Sequence, residues 1–367
     1  MNISDNSGSK QLIINLSILL PKPTGISNYA QNIFPYLKCL EPTLLTAQNY
    51  SKFKSYPVPN NLTPEQGTKG HLRRLLWTQF QVPQIYHNLK SRLLFSPLPE
   101  APLNSNCRFV VMCHDLIPLR FPKRFSPLTP YHRYYIPQVL KQAQHIICNS
   151  QATAQDIIDF YQVPASKITP IPLAYHRQHF RPIRETSAES QRYFLYLGRH
   201  DPYKNLHRLI AAFAALRNRG EYELWLAGPI DGRYTPVLQR QVAELGITDQ
   251  VKFLNYVSYS ELPKIIHGAI ALVFPSLWEG FGFPVLEAMA CGTPVITSNL
   301  SSLPEVAGDA AILINPDNTA EITDAMRIIA EDMEVRSHLS TQGINRANQF
   351  SWEKTGLATA EVLSRYL

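Results

Sequence analysis

The second half of the chain alternates short apolar segments with amphipathic ones, and this restricts what it can fold into more than any other feature. Tyr193-Phe-Leu-Tyr-Leu197 is apolar throughout and stops at Gly198, as a buried strand does. Asn205–Arg219 follows with helical spacing (Leu206, Leu209, Ile210, Phe213, Leu216) and ends at Gly220. The pattern then repeats. Strands are expected at Glu223–Ala227, Val251–Leu254, Ile270–Phe274, Pro294–Thr297 and Ala311–Ile314, with helices at Val237–Leu245, after Ser260, and at Pro284–Ala290. Strands that are apolar on both faces, each followed by a helix, require a parallel sheet covered on both sides.

The first half follows the same scheme less regularly. Leu12–Ser17, Leu93–Phe95, Phe109–Met112 and His145–Cys148 read as strands, a helix runs through Lys38 after the turn Pro23-Thr24-Gly25, and Ser150 caps a helix over Gln151–Tyr161. At 367 residues the chain has material for about two domains. The alternation breaks near Ala174–Glu189, at Pro182 and the polar run Glu185–Ser190. The expected class is α/β, with two Rossmann-like, doubly wound domains facing one another across a cleft. Residues 1–178 form the first and 179–350 the second. Ligands of such sheets bind beyond the carboxyl ends of the strands, so the loops after strands carry the chemistry.

Composition excludes several classes. With 45% apolar and 17% charged residues, the chain is not disordered. Its five cysteines include no CxxC pair, against a disulfide framework or a structural zinc site. No apolar run reaches a membrane span of ~18 residues, and Gln11–Leu20 reads as a buried first strand rather than a signal segment. A cytoplasmic protein is expected. The net charge of +7 is uneven: residues 1–180 carry 18 Lys and Arg against 7 Asp and Glu, and the remainder 17 against 21. An anionic partner met by the first half follows. The basic-aromatic groups Ser51–Tyr56 and His71–Trp77 nominate Lys52, Lys54, Arg73, Arg74 and Trp77 as an acceptor or membrane patch. A nucleic-acid binder is disfavoured, since no helix-turn-helix, zinc-finger or RNP pattern is present.

The densest motif is Pro275-Ser-Leu-Trp-Glu-Gly-Phe-Gly-Phe-Pro-Val-Leu-Glu-Ala-Met-Ala-Cys-Gly-Thr-Pro294, which leaves a buried strand and opens a helix with Pro284 in its first turn. Gly280 and Gly282 permit a sharp turn and close ligand approach, and the helix start offers free N–H groups. Seven residues separate Glu279 from Glu287, so two carboxylates can hold different hydroxyl-bearing parts of one ligand. On spacing alone, Glu279 as an electrostatic cap and Glu287 as a solvated surface residue compete evenly with that reading.

The stretch resembles the EX7E signature of family 4 glycosyltransferases, which have the GT-B fold. Gly198-Arg199-His-Asp-Pro-Tyr-Lys204-Asn205 is similar to that family's Arg…Lys element, Thr24-Gly25-Ile26 to its N-terminal glycine loop, and His114-Asp115 to its post-strand histidine. Phe350-Ser351-Trp352 resembles the start of the terminal helix (about 351–367), which in this fold packs back on the first domain. His114–Pro122 and Ser301–Ala311 look most like the O-antigen mannosyltransferase subgroup.

The resemblance implies a retaining transfer of a hexose from a nucleotide-sugar donor, with the first domain binding the acceptor and the second the donor. Glu287 would bind the ribose hydroxyls, and Glu279 the 3-hydroxyl of the transferred sugar. Backbone N–H groups of Phe281, Gly282 and Phe283 would meet sugar hydroxyls, Gly25 would let its loop approach the diphosphate, and His114 would lie near the 6-hydroxyl. The sequence has no Asp-x-Asp metal motif, so no metal and no cofactor is expected. Arg199 and Lys204, a fork and a point charge on one loop, would take the leaving diphosphate. That diphosphate would itself deprotonate the acceptor, with Glu279 as covalent nucleophile a minority alternative. The donor expected from the subgroup is GDP-mannose, and the acceptor a lipid-linked or surface polysaccharide met at the inner membrane face. Alternatives are a UDP-sugar donor, a phosphorylase (no pyridoxal-phosphate lysine motif is recognisable) and a non-catalytic sugar binder.

Overall fold

The computed structural model describes residues 11–19, 25–123, 126–183 and 192–367. Thr24 of the glycine loop and the polar run Glu185–Ser190 lie outside the described residues. The chain divides into two compact units, Met1–Leu173 with Trp352–Leu367, and Ala174–Ser351.

Among the described residues, the first unit holds a seven-stranded sheet: β1 (Leu12–Asn15), β2 (Thr43–Thr46), β3 (Lys54–Pro57), β4 (Leu93–Ser96), β5 (Phe109–Cys113), β6 (His145–Cys148) and β7 (Ile168–Pro170), in the order β3-β2-β1-β4-β5-β6-β7. Every pair is parallel. Residues of β1, β4, β5 and β6 are buried at every position, as runs that are apolar on both faces demand. Burying each large side chain contributes about 1.5–3 kcal/mol, set against roughly 1–2 kcal/mol for ordering each backbone unit. Ser150 caps its helix as expected, its hydroxyl accepting the N–H of Thr153 at 3.1 Å. The segment read as a basic patch, Ser51–Tyr56, leads into the edge strand β3, where exposed Lys54 and Pro57 discourage further pairing.

The helix Gly67–Asn88 escapes periodicity because its buried face mixes Arg74 and Thr78 with Trp77, Val82 and Ile85. The terminal helix Trp352–Ser364 packs within the first unit. Its Gly356 lies against Tyr36, where a methyl would stand 2.5 Å from the tyrosine Cβ. The Thr355 hydroxyl donates to the Pro172 carbonyl at 2.8 Å, and the Tyr366 hydroxyl meets His145 Nδ1 at 2.9 Å.

The second unit holds a six-stranded parallel sheet: β8 (Tyr193–Leu197), β9 (Glu223–Ala227), β10 (Val251–Leu254), β11 (Ala271–Phe274), β12 (Val295–Ser298) and β13 (Ile312–Ile314), in the order β10-β9-β8-β11-β12-β13. In both sheets the order runs outward from the first strand, then reverses. The reversal lies between β1 and β4 in one and between β8 and β11 in the other. Where connections diverge to opposite sides, the loops leaving the carboxyl ends open a crevice. No described helix is long and apolar enough to cross a membrane.

Candidate functional site

In the second unit the two loops at the reversal carry the residues singled out by the sequence. The first leaves β8 at Gly198, whose φ of 146° suits glycine. Beside it, a methyl on Gly228 would stand 1.9 Å from the Gly198 carbonyl oxygen, so the ends of β8 and β9 meet closer than any side chain permits. The Tyr196 hydroxyl donates to Arg199 O at 2.8 Å and sets the direction of the loop. The short turn Pro202–Lys204 then ends on Asn205 in the left-handed region, φ 64°. Asn205 is fully buried and its Nδ2 donates to the carbonyls of Pro275 (3.1 Å) and Pro316 (2.7 Å). The Leu277 N–H donates to Tyr203 O at 2.8 Å. The two loops are thereby stitched together.

This places Lys204 Nζ 2.5 Å from Glu279 Oε1, across 75 residues of sequence. Glu279 is 8% exposed, and the ammonium also sits 5.3 Å from the Phe274 ring centroid. Burial raises the worth of this charge-assisted bond, and removing either partner leaves a buried charge. Arg199 instead extends outward, 64% exposed, with Nε 3.2 Å from Asp201 Oδ2. The two expected cations therefore sit on one loop, but each already holds a carboxylate.

The loop carrying Glu279 is clamped from β12's far end. The Glu279 N–H donates to Ser301 Oγ at 3.1 Å, and Ser302 Oγ lies 3.0 Å from Glu279 O and 2.9 Å from Phe281 O. No spacing singles out either serine; both lie within Ser301–Ala311, the segment that resembles the O-antigen mannosyltransferase subgroup. Gly282, at φ 106°, then caps the helix Phe283–Ala290, directly after Phe281. On that helix Glu287 is half-buried, and burial pushes its carboxyl up to about 7. No cation pairs with it among the described residues. Its electrostatic neighbours are the Tyr259 hydroxyl and Cys291 thiol, each raised to about 12, chiefly by burial and next by Glu287.

In the first unit, Gly25 opens the helix Gly25–Ile33. His114 follows β5, with Nε2 2.9 Å from the Pro97 carbonyl and its ring edge-on to Tyr29 at 5.2 Å. A carbonyl only accepts, so Nε2 carries the proton and Nδ1 a lone pair. Burial lowers the ring to about 4, keeping it neutral. The proposed surface patch needs correction. Arg74 is 4% exposed, its Nε donating to Glu100 Oε2 at 2.7 Å, and Trp77 is core. Both sit on the inward face of their helix, so only Lys52, Lys54 and Arg73 are exposed. What the outward face does present is Leu72, Leu76 and Phe80, exposed at successive turns beside Lys69 and Arg73.

These two sheets match known proteins throughout. HepE from Anabaena, solved with UDP and glucose, aligns at a TM-score of 0.73 and 19% identity, covering 97% of this chain and 99% of that one. Sucrose-phosphate synthase from Thermosynechococcus elongatus aligns at 0.74 and 17% identity, covering 97% and 98%. The fold is that of a GT-B glycosyltransferase. Residues 180–346 match the model of glycosyl transferases group 1, and residues 25–178 that of glycosyltransferase family 4. O-antigen chain mannosyltransferase B of Escherichia coli is 33% identical over 275 residues, 71% of this chain and 70% of that protein. O-antigen chain mannosyltransferase RfbU of Salmonella typhimurium is 29% identical over 87% of this chain and 91% of that protein. The chain belongs to glycosyltransferase family 4.

Proposed function

We propose that this chain is a retaining mannosyltransferase, moving mannose from GDP-mannose to a hydroxyl of a lipid-linked or surface polysaccharide without metal or other cofactor. The observation that carries the reading is the Lys204–Glu279 pair, beside Arg199 and the Gly282 helix start, at the reversal of one sheet. The leaving diphosphate gains charge as the sugar departs, and Arg199, Lys204 and the helix N–H groups stabilise it where it develops. Glu279, oriented by Lys204, accepts a bond from a sugar hydroxyl, and Glu287 accepts the ribose hydroxyls. The acceptor oxygen bonds the anomeric carbon as the bond to the diphosphate breaks, on the same face, and the acceptor proton passes to the departing phosphate. Glu279 is spent on Lys204 and on positioning, which favours this route over a covalent adduct. Mannose and a polysaccharide acceptor come from the named activities of the E. coli and Salmonella relatives.

The test screens GDP-mannose, UDP-glucose, UDP-galactose and UDP-N-acetylglucosamine for nucleoside diphosphate release, with and without EDTA. GDP-mannose is expected to turn over fastest, equally in both. Preference for a UDP-sugar overturns the donor, and EDTA sensitivity overturns the metal-free mechanism.

Contact with an anionic bilayer at the inner membrane face forms part of the same reading. The helix Gly67–Asn88 contains no Asp or Glu, and its exposed Leu72, Leu76 and Phe80 are flanked by Lys69 and Arg73. An apolar stripe with cations beside it suits the interface of an anionic bilayer. The full chain is expected to sediment with phosphatidylglycerol-containing vesicles and not with pure phosphatidylcholine, and Phe80→Ser with Arg73→Ser to reduce this at least tenfold. Equal binding to both vesicles overturns the assignment.

A further inference from the structure

In the second unit, the loop 255–261 leaves β10, the edge strand of the sheet, and leads into the helix Leu262–His267. Bonds within the loop shape its turn. Ser258 Oγ donates to Glu261 Oε2 at 2.6 Å, and the N–H groups of Glu261 and Leu262 donate to Ser258 O at 3.0 and 3.2 Å. An edge strand has a neighbour on one side alone, so these local bonds do not fix where the loop lies.

The fixing contact comes from 80 residues earlier. The His179 ring stacks on that of Tyr259, centroids 3.9 Å apart and planes 8° from parallel, and its Nε2 lies 2.7 Å from Tyr259 O. A carbonyl only accepts, so Nε2 carries the proton and donates. Phe180 and His176 meet the Tyr259 ring edge-on at 5.8 and 6.4 Å. One residue of the loop is thereby gripped by ring and by backbone.

His179 is itself held. Its N–H and that of Phe180 each donate to His176 O at 2.9 Å, closing a tight turn, and Phe180 is core. Arg177 in that turn donates through Nη2 to the carbonyls of Asn348 (2.6 Å) and Phe350 (3.2 Å). Farther along, the Arg181 N–H bonds the Cys291 sulfur. Cys291 stands one turn beyond Glu287, its N–H donating to Glu287 O at 3.1 Å, so the two side chains share a helix face. The segment 176–181 therefore touches both electrostatic neighbours of Glu287, Tyr259 and Cys291. The two differ in freedom. Cys291 is fully buried at the end of Glu287's own helix, whereas Tyr259 is 44% exposed on a loop whose place depends on His179.

We propose that His179 is a positioning residue for the nucleoside half of the donor: through Tyr259 it holds the loop 255–261 beside Glu287, so that the ribose site stands formed before the nucleotide arrives. A site formed beforehand loses none of its affinity to ordering the loop. The inference rests on the reading of Glu287 as the ribose carboxylate. Arg199 and Lys204 belong to a different loop, so the diphosphate end is left as it was.

The test titrates the full chain with GDP and with UDP by calorimetry at pH 8, and measures kcat and KM with GDP-mannose and UDP-glucose. A hydrogen bond and a ring pair together amount to about a tenfold change in an equilibrium, so His179→Ala is expected to weaken whichever nucleotide the parent binds by roughly tenfold and to raise KM alike, with kcat within about threefold of the parent. His179→Phe keeps the ring and should recover part of the loss. Adding Tyr259→Leu to His179→Ala should weaken binding no further than either change alone, since both break one contact. Thermal melts confirm that each variant folds. A purely structural role would lower the melting temperature and leave nucleotide affinity at the parent value. Unchanged affinity in folded His179→Ala while Glu287→Gln is weakened overturns this inference alone, as does a fall in kcat without a rise in KM. Unchanged affinity in Glu287→Gln, or a parent that binds neither nucleotide, removes the ribose reading and this inference with it.

Discussion

Lys204→Met is expected to lower kcat/KM by roughly 10²–10³, the usual loss when one preorganised donor to a developing anion is removed. The same change should lower the melting temperature, because Glu279 would remain 8% exposed without its partner 2.5 Å away. Stranding one member of a buried pair costs about 3–5 kcal/mol. The two effects separate in the double variant. Lys204→Met with Glu279→Gln removes both charges, and the amide can still bond locally, so much of the melting temperature should return while the rate stays low. Lys204→Arg is expected to fall between, because a planar fork does not replace an ammonium packed 5.1 Å from the Tyr203 ring centroid and 5.3 Å from that of Phe274. Steady-state kinetics and thermal melts on the four proteins decide it. A Lys204→Met enzyme within threefold of the parent rate would show that the ammonium has no part in stabilising the diphosphate.

The strands were legible where a short apolar run stands out from its flanks, whether it is buried throughout, as at Tyr193–Leu197, or partly exposed, as at Val251–Leu254. Tyr193–Leu197, Glu223–Ala227 and Val251–Leu254 occupy the residues their apolar runs marked. Thr43–Thr46 was not, because threonines flank a run of only two leucines, and Lys54–Pro57 and Ile168–Pro170 were not, because toward the sheet's margins their residues meet solvent and the apolar run dissolves. Glu279 and Glu287 stood out because they occupy a loop and a helix directly after a buried strand, and Arg199 and Lys204 through their resemblance to the family's Arg…Lys element. The bond between Lys204 and Glu279 did not, since it depends on β8 lying beside β11, and strand order is set by tertiary packing rather than by local pattern. Arg74 misled for a related reason. In His71-Leu-Arg-Arg-Leu-Leu-Trp77 it reads as one of a basic group, and only the helix phase turns it inward to Glu100 while turning Arg73 out. Ser302 and Asn205 act through backbone carbonyls, and such partners leave no mark in sequence.

Sugar-nucleotide affinity is expected to fall with acidification below about pH 7, and Glu287 to be the cause. Burial raises its carboxyl from an ordinary 4.5 to about 7, with no cation opposing among the described residues. Ribose hydroxyls donate best to the ionised form, so binding below pH 7 must first release the proton, at about 1.4 kcal/mol per pH unit. Affinity should drop toward tenfold per unit between pH 6.5 and 5.5 and level off above pH 8. The neighbouring Tyr259 and Cys291, both raised to about 12, stay protonated across this window. Stability should move the other way. The folded state holds this proton more tightly than the unfolded chain does, so Glu287 costs nothing below pH 4.5, costs more as pH rises toward 7, and reaches a plateau of at most about 3 kcal/mol above it. Glu287→Gln is therefore expected to bind donor more weakly at pH 8, to lose most of the pH dependence, and to melt higher than the parent at pH 8 but not at pH 4.5. The intact sugar nucleotide is the right probe, because a free diphosphate titrates near pH 6 itself. Calorimetric titrations and melts from pH 4.5 to 8.5 read both trends, and an affinity profile unchanged by Glu287→Gln would remove the carboxylate from the ribose site.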